Sequence, residues 1–194
     1  MLSIAEPAVL AAPNRLSLRR GLDRLYLAAG GAGALCVALI CVLMLWQSLS
    51  RVIGVSAGAV NDIVSWLAAA AAFLTMAHAF KHGDFVRVTL LLDRTGPRLR
   101  RVMELATLAI AAVSVAYLAW WACRFTFESW QFHEVAQGLL PLPMWIPQLS
   151  FAAGALLLLL AVVDEFFIVL GGAVPTYVRE VQARHAQGDF SSDL

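Results

Sequence analysis

His78 and His82 stand four residues apart, a spacing that puts two imidazoles on one helical face, as a pair of metal or haem ligands requires. Asp164 and Glu165 are adjacent carboxylates late in an apolar run, where ionisable groups inside a membrane could relay protons or couple an ion gradient. Each has a plainer reading. His82 follows Lys81 at a membrane boundary, no carboxylate is placed to complete a metal shell, and His133 is predicted on the opposite side of the membrane, so interfacial polar residues account for the pair. Asp164 and Glu165 fall in the last third of their run, where snorkelling or capping contacts suffice. Cys36, Cys41 and Cys123 lie inside apolar blocks without CxxC spacing and read as small buried hydrophobes, not as a redox pair or zinc site. No nucleophile elbow, P-loop, HExxH or Rossmann glycine pattern occurs, so neither an enzyme activity nor a cofactor is predicted.

The elements that must position these side chains are membrane spans. Of 194 residues, 61% are apolar and 14% charged, against roughly 25% charged in a soluble domain. The apolar residues arrive in uninterrupted blocks, which lipid explains and water does not. A helix rising about 1.5 Å per residue needs roughly 20 residues to cross a hydrocarbon core. Four blocks meet that length: residues 25–49, 60–80, 102–123 and 144–170. The sequence therefore predicts an all-α membrane protein of four transmembrane helices, with segment 1–24 before them and tail 173–194 after them. The arginines preceding the first block resemble the basic region of a secretory signal, but the apolar run is too long for a signal core and reads as a retained anchor. Both chain ends are expected to be loosely ordered.

Lys and Arg are retained on the cytoplasmic side of short loops. With the N-terminus inside, every basic residue but Arg51 and Arg124 is cytoplasmic, which predicts both termini in the cytoplasm. The near-neutral formal charge of +1 gives no sign of a nucleic-acid partner. In the loop KHGDFVRVTLLLDRTGPRLRR, Phe85, Val88, Leu91 and Leu92 share one helical face with Arg87 and Arg94 opposite. It reads as an amphipathic interfacial helix between the second and third spans, closed at Gly96-Pro97; an irregular loop whose arginines only enforce topology is the alternative. Asp62 is placed to cap the second span's N-terminus. Trp46, Trp66, Trp120, Trp121, Trp130 and Trp145 gather toward span ends as an interfacial belt does, with substrate stacking the other reading. The small-residue runs GGAGA and AAAAAF allow close helix packing. No internal repeat is evident, and the spans offer almost no polar group at mid-membrane, so the chain alone lacks a solute path.

Two stretches carry a family resemblance covering about residues 20 to 172. In NDIVSWLAAAAAFLTMAHAFKHGDFVRVTLLLDR a span leads into a basic residue, a Gly and an apolar run: Lys81 stands where an Arg is usual, Gly83 matches, Asp84 replaces a His, Phe85, Val86 and Val88 keep the apolar phase, and Thr89 takes the place of an acidic residue. GLLPLPMWIPQLSFAAGALLLLL resembles a Leu-Pro-x-Trp opening of the fourth span through Pro143 and Trp145, with a later Gly at Gly154. Together they resemble the DctQ-like small membrane subunit of tripartite ATP-independent periplasmic (TRAP) transporters.

That resemblance implies a secondary transporter of the bacterial inner membrane, driven by an ion gradient, usually sodium, in which a periplasmic binding protein delivers an organic acid to a two-part membrane complex. The large DctM-like subunit would carry substrate and ion sites, and a chain like this one would brace it and help dock the binding protein. The candidate interface or partner-docking residues are Asp62, Trp66, Lys81, Gly83, Arg87, Trp130, Glu134, Pro143 and Trp145. Among them Lys81 and Arg87 are expected to hold the cytoplasmic interface against anionic lipid, a gain of about 1 kcal/mol each, while Trp130, Glu134 and Trp145 are expected near the binding protein. Two rivals remain: a haem-holding membrane anchor of a respiratory oxidoreductase, using His78, and a stand-alone tetraspan carrier.

Overall fold

The computed structural model describes residues 13–83, 96–172 and 175–186. Among them there are five helices and no strand: α1 (Pro13–Val52), α2 (Val60–His82), α3 (Pro97–Gln131), α4 (Trp145–Leu170) and α5 (Thr176–Ala186). Four are long and apolar enough to cross a membrane, over Gly21–Val52, Val60–His82, Leu99–Gln131 and Trp145–Leu170. The interfacial helix expected over Phe85 to Leu92, with Arg87 on its polar side, lies outside the described residues.

α1 has 40 residues and α3 has 35, about 60 Å and 52 Å of helix at 1.5 Å per residue. Both outrun a hydrocarbon core of about 30 Å. The surplus turns carry the charge: Arg24 precedes the apolar stretch of α1, Arg100, Arg101 and Glu104 open α3, and Arg124 and Glu128 close it. The i,i+4 pairs Arg100–Glu104 and Arg124–Glu128, at 3.1 and 2.7 Å, let those turns stay helical where they leave the apolar zone. Gly96 is extended (φ −65°, ψ 157°) and Pro97 takes the first helical position, where its missing N–H costs nothing.

The helices pair in the order α1–α2–α4–α3, with α5 against α2. Successive spans run in opposite directions, which places the starts of α1 and α3, the ends of α2 and α4, and α5 at one end of the row. Close approach is made by glycine. A Cβ on Gly154 of α4 would lie 2.5 Å from the Phe73 carbonyl carbon of α2, and Gly30 of α1 sits against the His78 ring of α2. Small residues at such crossings let backbones touch where lipid provides no hydrophobic drive. Around these contacts Phe73 and Phe151 meet edge to face at 4.3 Å, and Ala119 and Ala122 of α3 pack on Ala152 and Ala155 of α4.

Two threonine hydroxyls turn inward on their own helices, one within α2 and one in the last turns of α3. Thr75 donates to the Ala71 carbonyl and Thr126 to the Ala122 carbonyl, both at 2.8 Å. These bonds quench the hydroxyls locally instead of presenting them to a neighbour or a solute.

Candidate functional site

Polar chemistry gathers at the two ends of the row. At the first end, α2 finishes in Lys81-His82-Gly83. Gly83 adopts φ +77°, and its N–H donates to the Ala79 and Phe80 carbonyls, a left-handed cap that glycine reaches without strain. A Cβ there would also lie 2.8 Å from Val181 Cγ2 and 3.1 Å from the Tyr177 carbonyl oxygen, so the same glycine lets α5 lie against α2.

This close docking buries Lys81, which is 7% exposed. Its ammonium donates 3.0 Å to Glu165 Oε1 and makes a shorter bond to Asp164 Oδ2. Glu165 is fully enclosed, and its second oxygen accepts the Thr176 backbone N–H at 3.0 Å. Thr176 opens α5, so the carboxylate caps that helix and meets the positive end of its dipole. Tyr26 of α1 is 2% exposed, with its ring 5.7 Å from the Lys81 ammonium. One cation, two carboxylates and a helix N-terminus thus bind α1, α2, α4 and α5 into a knot. Removing one partner of such a buried pair costs about 3–5 kcal/mol, because the other charge is stranded.

The knot revises two expectations. Lys81 does not reach out to lipid headgroups; it turns inward to carboxylates on α4. Asp164 and Glu165 do not snorkel as a pair, although the capping contact expected of them is made by Glu165 toward α5. The segment after Pro175, expected to be loosely ordered, opens with a docked helix. The histidines beside the knot stack on each other, ring centroids 4.0 Å apart, and His82 Nδ1 is 2.9 Å from the His78 carbonyl oxygen, which requires the proton on Nδ1. Among the described residues no group of three His, Cys, Asp or Glu side chains could hold a metal ion.

At the opposite end, Asp62 does not cap its own helix, whose N-cap is Ala59 with no side-chain bond. Its carboxylate reaches across to accept the Leu139 backbone N–H at 3.0 Å, over the bare Cα of Gly138. The loop it holds folds back on itself: Val135 bridges Pro143, and Ala136 N–H donates to the Leu142 carbonyl at 2.9 Å. Glu134 is its pivot. Its side chain accepts from Ser129 Oγ at 2.6 Å, its N–H donates to the Ser129 carbonyl, and its carbonyl accepts from Met144 N–H. Trp130 and Pro143 are exposed beside it, while Trp66 and Trp145 are half-buried. Six of the nine predicted candidates, Asp62, Trp66, Trp130, Glu134, Pro143 and Trp145, therefore assemble at this end, and Lys81 and Gly83 at the other.

Just inside that loop, between α2, α3 and α4, lies a cavity of about 200 Å³ walled by Trp66, Ala69, Phe125, Met144, Pro147 and Phe151. Gln148 forms part of its lining and is 8% exposed, yet neither its amide nitrogen nor its amide oxygen has a hydrogen-bond partner among the described residues. The sequence offered one signal for this residue, a polar side chain one turn into an otherwise apolar run, and its importance appears only once three helices converge on it.

Residues 40–171 match the family described as tripartite ATP-independent periplasmic transporters, DctQ component. No individual curated protein matches the chain.

Proposed function

Since the chain belongs to the DctQ component family and is thus a small membrane subunit of a TRAP transporter, we propose that it braces the large membrane subunit and contributes no solute path of its own. It is a multi-pass protein of the inner membrane, and its family works with a large DctM-type subunit and a periplasmic binding protein. The observation that carries the scaffold reading is the apolar middle of the four spans, where the Thr75 hydroxyl is spent on its own helix. A hydrated organic acid crossing there would find few polar groups among the described residues to replace its water.

The distribution of arginine supports an orientation with both termini, α5 and the Lys81 knot in the cytoplasm and the 132–144 loop in the periplasm. In that orientation Trp130 and Pro143 sit on the side from which a binding protein arrives, on a loop that Asp62 and Glu134 hold in shape. We assign the transported solute to the organic acids and the driving force to an ion gradient, with both sites in the large subunit. The family match favours this reading over a haem-holding anchor or a self-sufficient carrier.

Affinity purification of the tagged chain in mild detergent tests the assembly. Recovery of a large polytopic subunit is expected; recovery of the chain alone, from membranes in which that subunit is present, counts against it. Cysteine labelling from outside should modify a residue placed at Leu139 and spare one placed at Val181, and the reverse pattern would invert the orientation.

A further inference from the structure

Gln148 poses a specific problem. An amide enclosed in apolar walls with donor and acceptor both open is unfavourable, and in a membrane the shortage of water sharpens the penalty. The cavity beside it opens on a surface with two unlike walls. On α2, Ala69 lines the cavity, and Ser65 and Ala72, one turn to either side on the same helical face, are exposed. On α3, Phe125 lines the cavity, and Trp121 and Tyr117 continue its face, exposed, with ring centroids 6.2 Å apart. Small residues on one side and aromatic rings on the other, with a polar group at the floor, make a seat for a helix.

We propose that this groove receives a transmembrane helix of the large subunit, and that a Ser, Thr, Asn or Gln side chain on that helix enters the cavity and pairs with the Gln148 amide. The chemistry selects this occupant over lipid. An acyl chain brings no hydrogen-bonding group, and an ester carbonyl only accepts, leaving the amide oxygen open. A hydroxyl or amide side chain donates and accepts at one place, and such side chains join helices in membranes. The proposal rests on the scaffold reading above and names the surface by which bracing occurs.

The test uses the full chain expressed with its large subunit and binding protein, with a photo-crosslinking residue at Ala69, at Phe125, or at Leu67 on a different face of α2. Adducts with the large subunit are expected at Ala69 and Phe125 and severalfold fewer at Leu67. Adducts to lipid alone at the first two positions, or equal capture at Leu67, would overturn the assignment while leaving co-purification of the complex, and hence the scaffold reading, intact. In parallel, Gln148→Leu is expected to reduce recovery of the large subunit by roughly three- to tenfold without lowering the melting temperature of the purified chain. Undiminished recovery would defeat the proposal, as would a chain that itself loses stability, because the amide would then serve the chain's own fold.

Discussion

The two ends of the helix row treat buried polar groups in opposite ways. At the Lys81 end, the enclosed ammonium finds two carboxylates, and the deepest carboxylate also meets a helix N-terminus. At the Gln148 end, an equally enclosed amide meets none among the described residues. At the first end the charges are paired within the chain and fasten α5 and the span ends together, although the buried Tyr26 hydroxyl there finds no hydrogen-bond partner among the described residues. At the second, donor and acceptor of one amide are both open beside a cavity, which leaves room for another molecule to complete the structure. A subunit that braces a partner needs both: a rigid frame and an unfinished face.

This contrast breaks first if Lys81 proves dispensable. Lys81→Met should strand Glu165 and Asp164 beside each other and cost about 3–5 kcal/mol, read as a large drop in the melting temperature of the purified chain and in its level in membranes. A near-silent substitution would mean that the knot fastens nothing. Gln148→Leu, by contrast, should leave that melting temperature unchanged or higher, so of the two substitutions only Lys81→Met is expected to lower stability.

Gly83→Ala tests whether the Lys81 end includes α5. A left-handed cap without glycine costs about 1–2 kcal/mol, and the added methyl would press on Val181 and the Tyr177 carbonyl. Faster labelling of a cysteine placed at Val181 is expected; an unaltered labelling rate would show α5 held by other means. The smallest effect belongs to Asp62→Ala, which removes one partly exposed hydrogen bond to Leu139 worth about 0.5–1.5 kcal/mol. It should raise protease cutting within 133–144 while the spans stay intact, and resistance equal to that of the unaltered chain would remove Asp62 from the loop's support.

The spans were legible because the requirement that makes them is local: about 20 successive apolar residues satisfy a bilayer wherever they occur. The Gly96-Pro97 start of α3 was legible for the same reason, since both residues act on their own backbone. The knot was not. Lys81 meets partners 83 and 84 residues away, and beside a membrane boundary its type alone suggests lipid headgroups. Asp62 reads as a cap in the sequence because the competing partner, Leu139 N–H, is supplied by a loop 77 residues distant. α5 leaves little trace in the sequence because a polar segment of 11 residues has little helix-forming strength alone; it is held by Glu165 at its start and Gly83 along its side. Gln148 became conspicuous only through what it lacks, which no sequence pattern records.

The central claim is that these spans support transport without conducting it. Proteoliposomes containing the chain alone, the large subunit with its binding protein, or all three together decide it by ion-driven uptake of the transported acid. Uptake is predicted only when all three are present, with none from the chain alone. Uptake or counterflow in vesicles holding this polypeptide by itself would contradict the account.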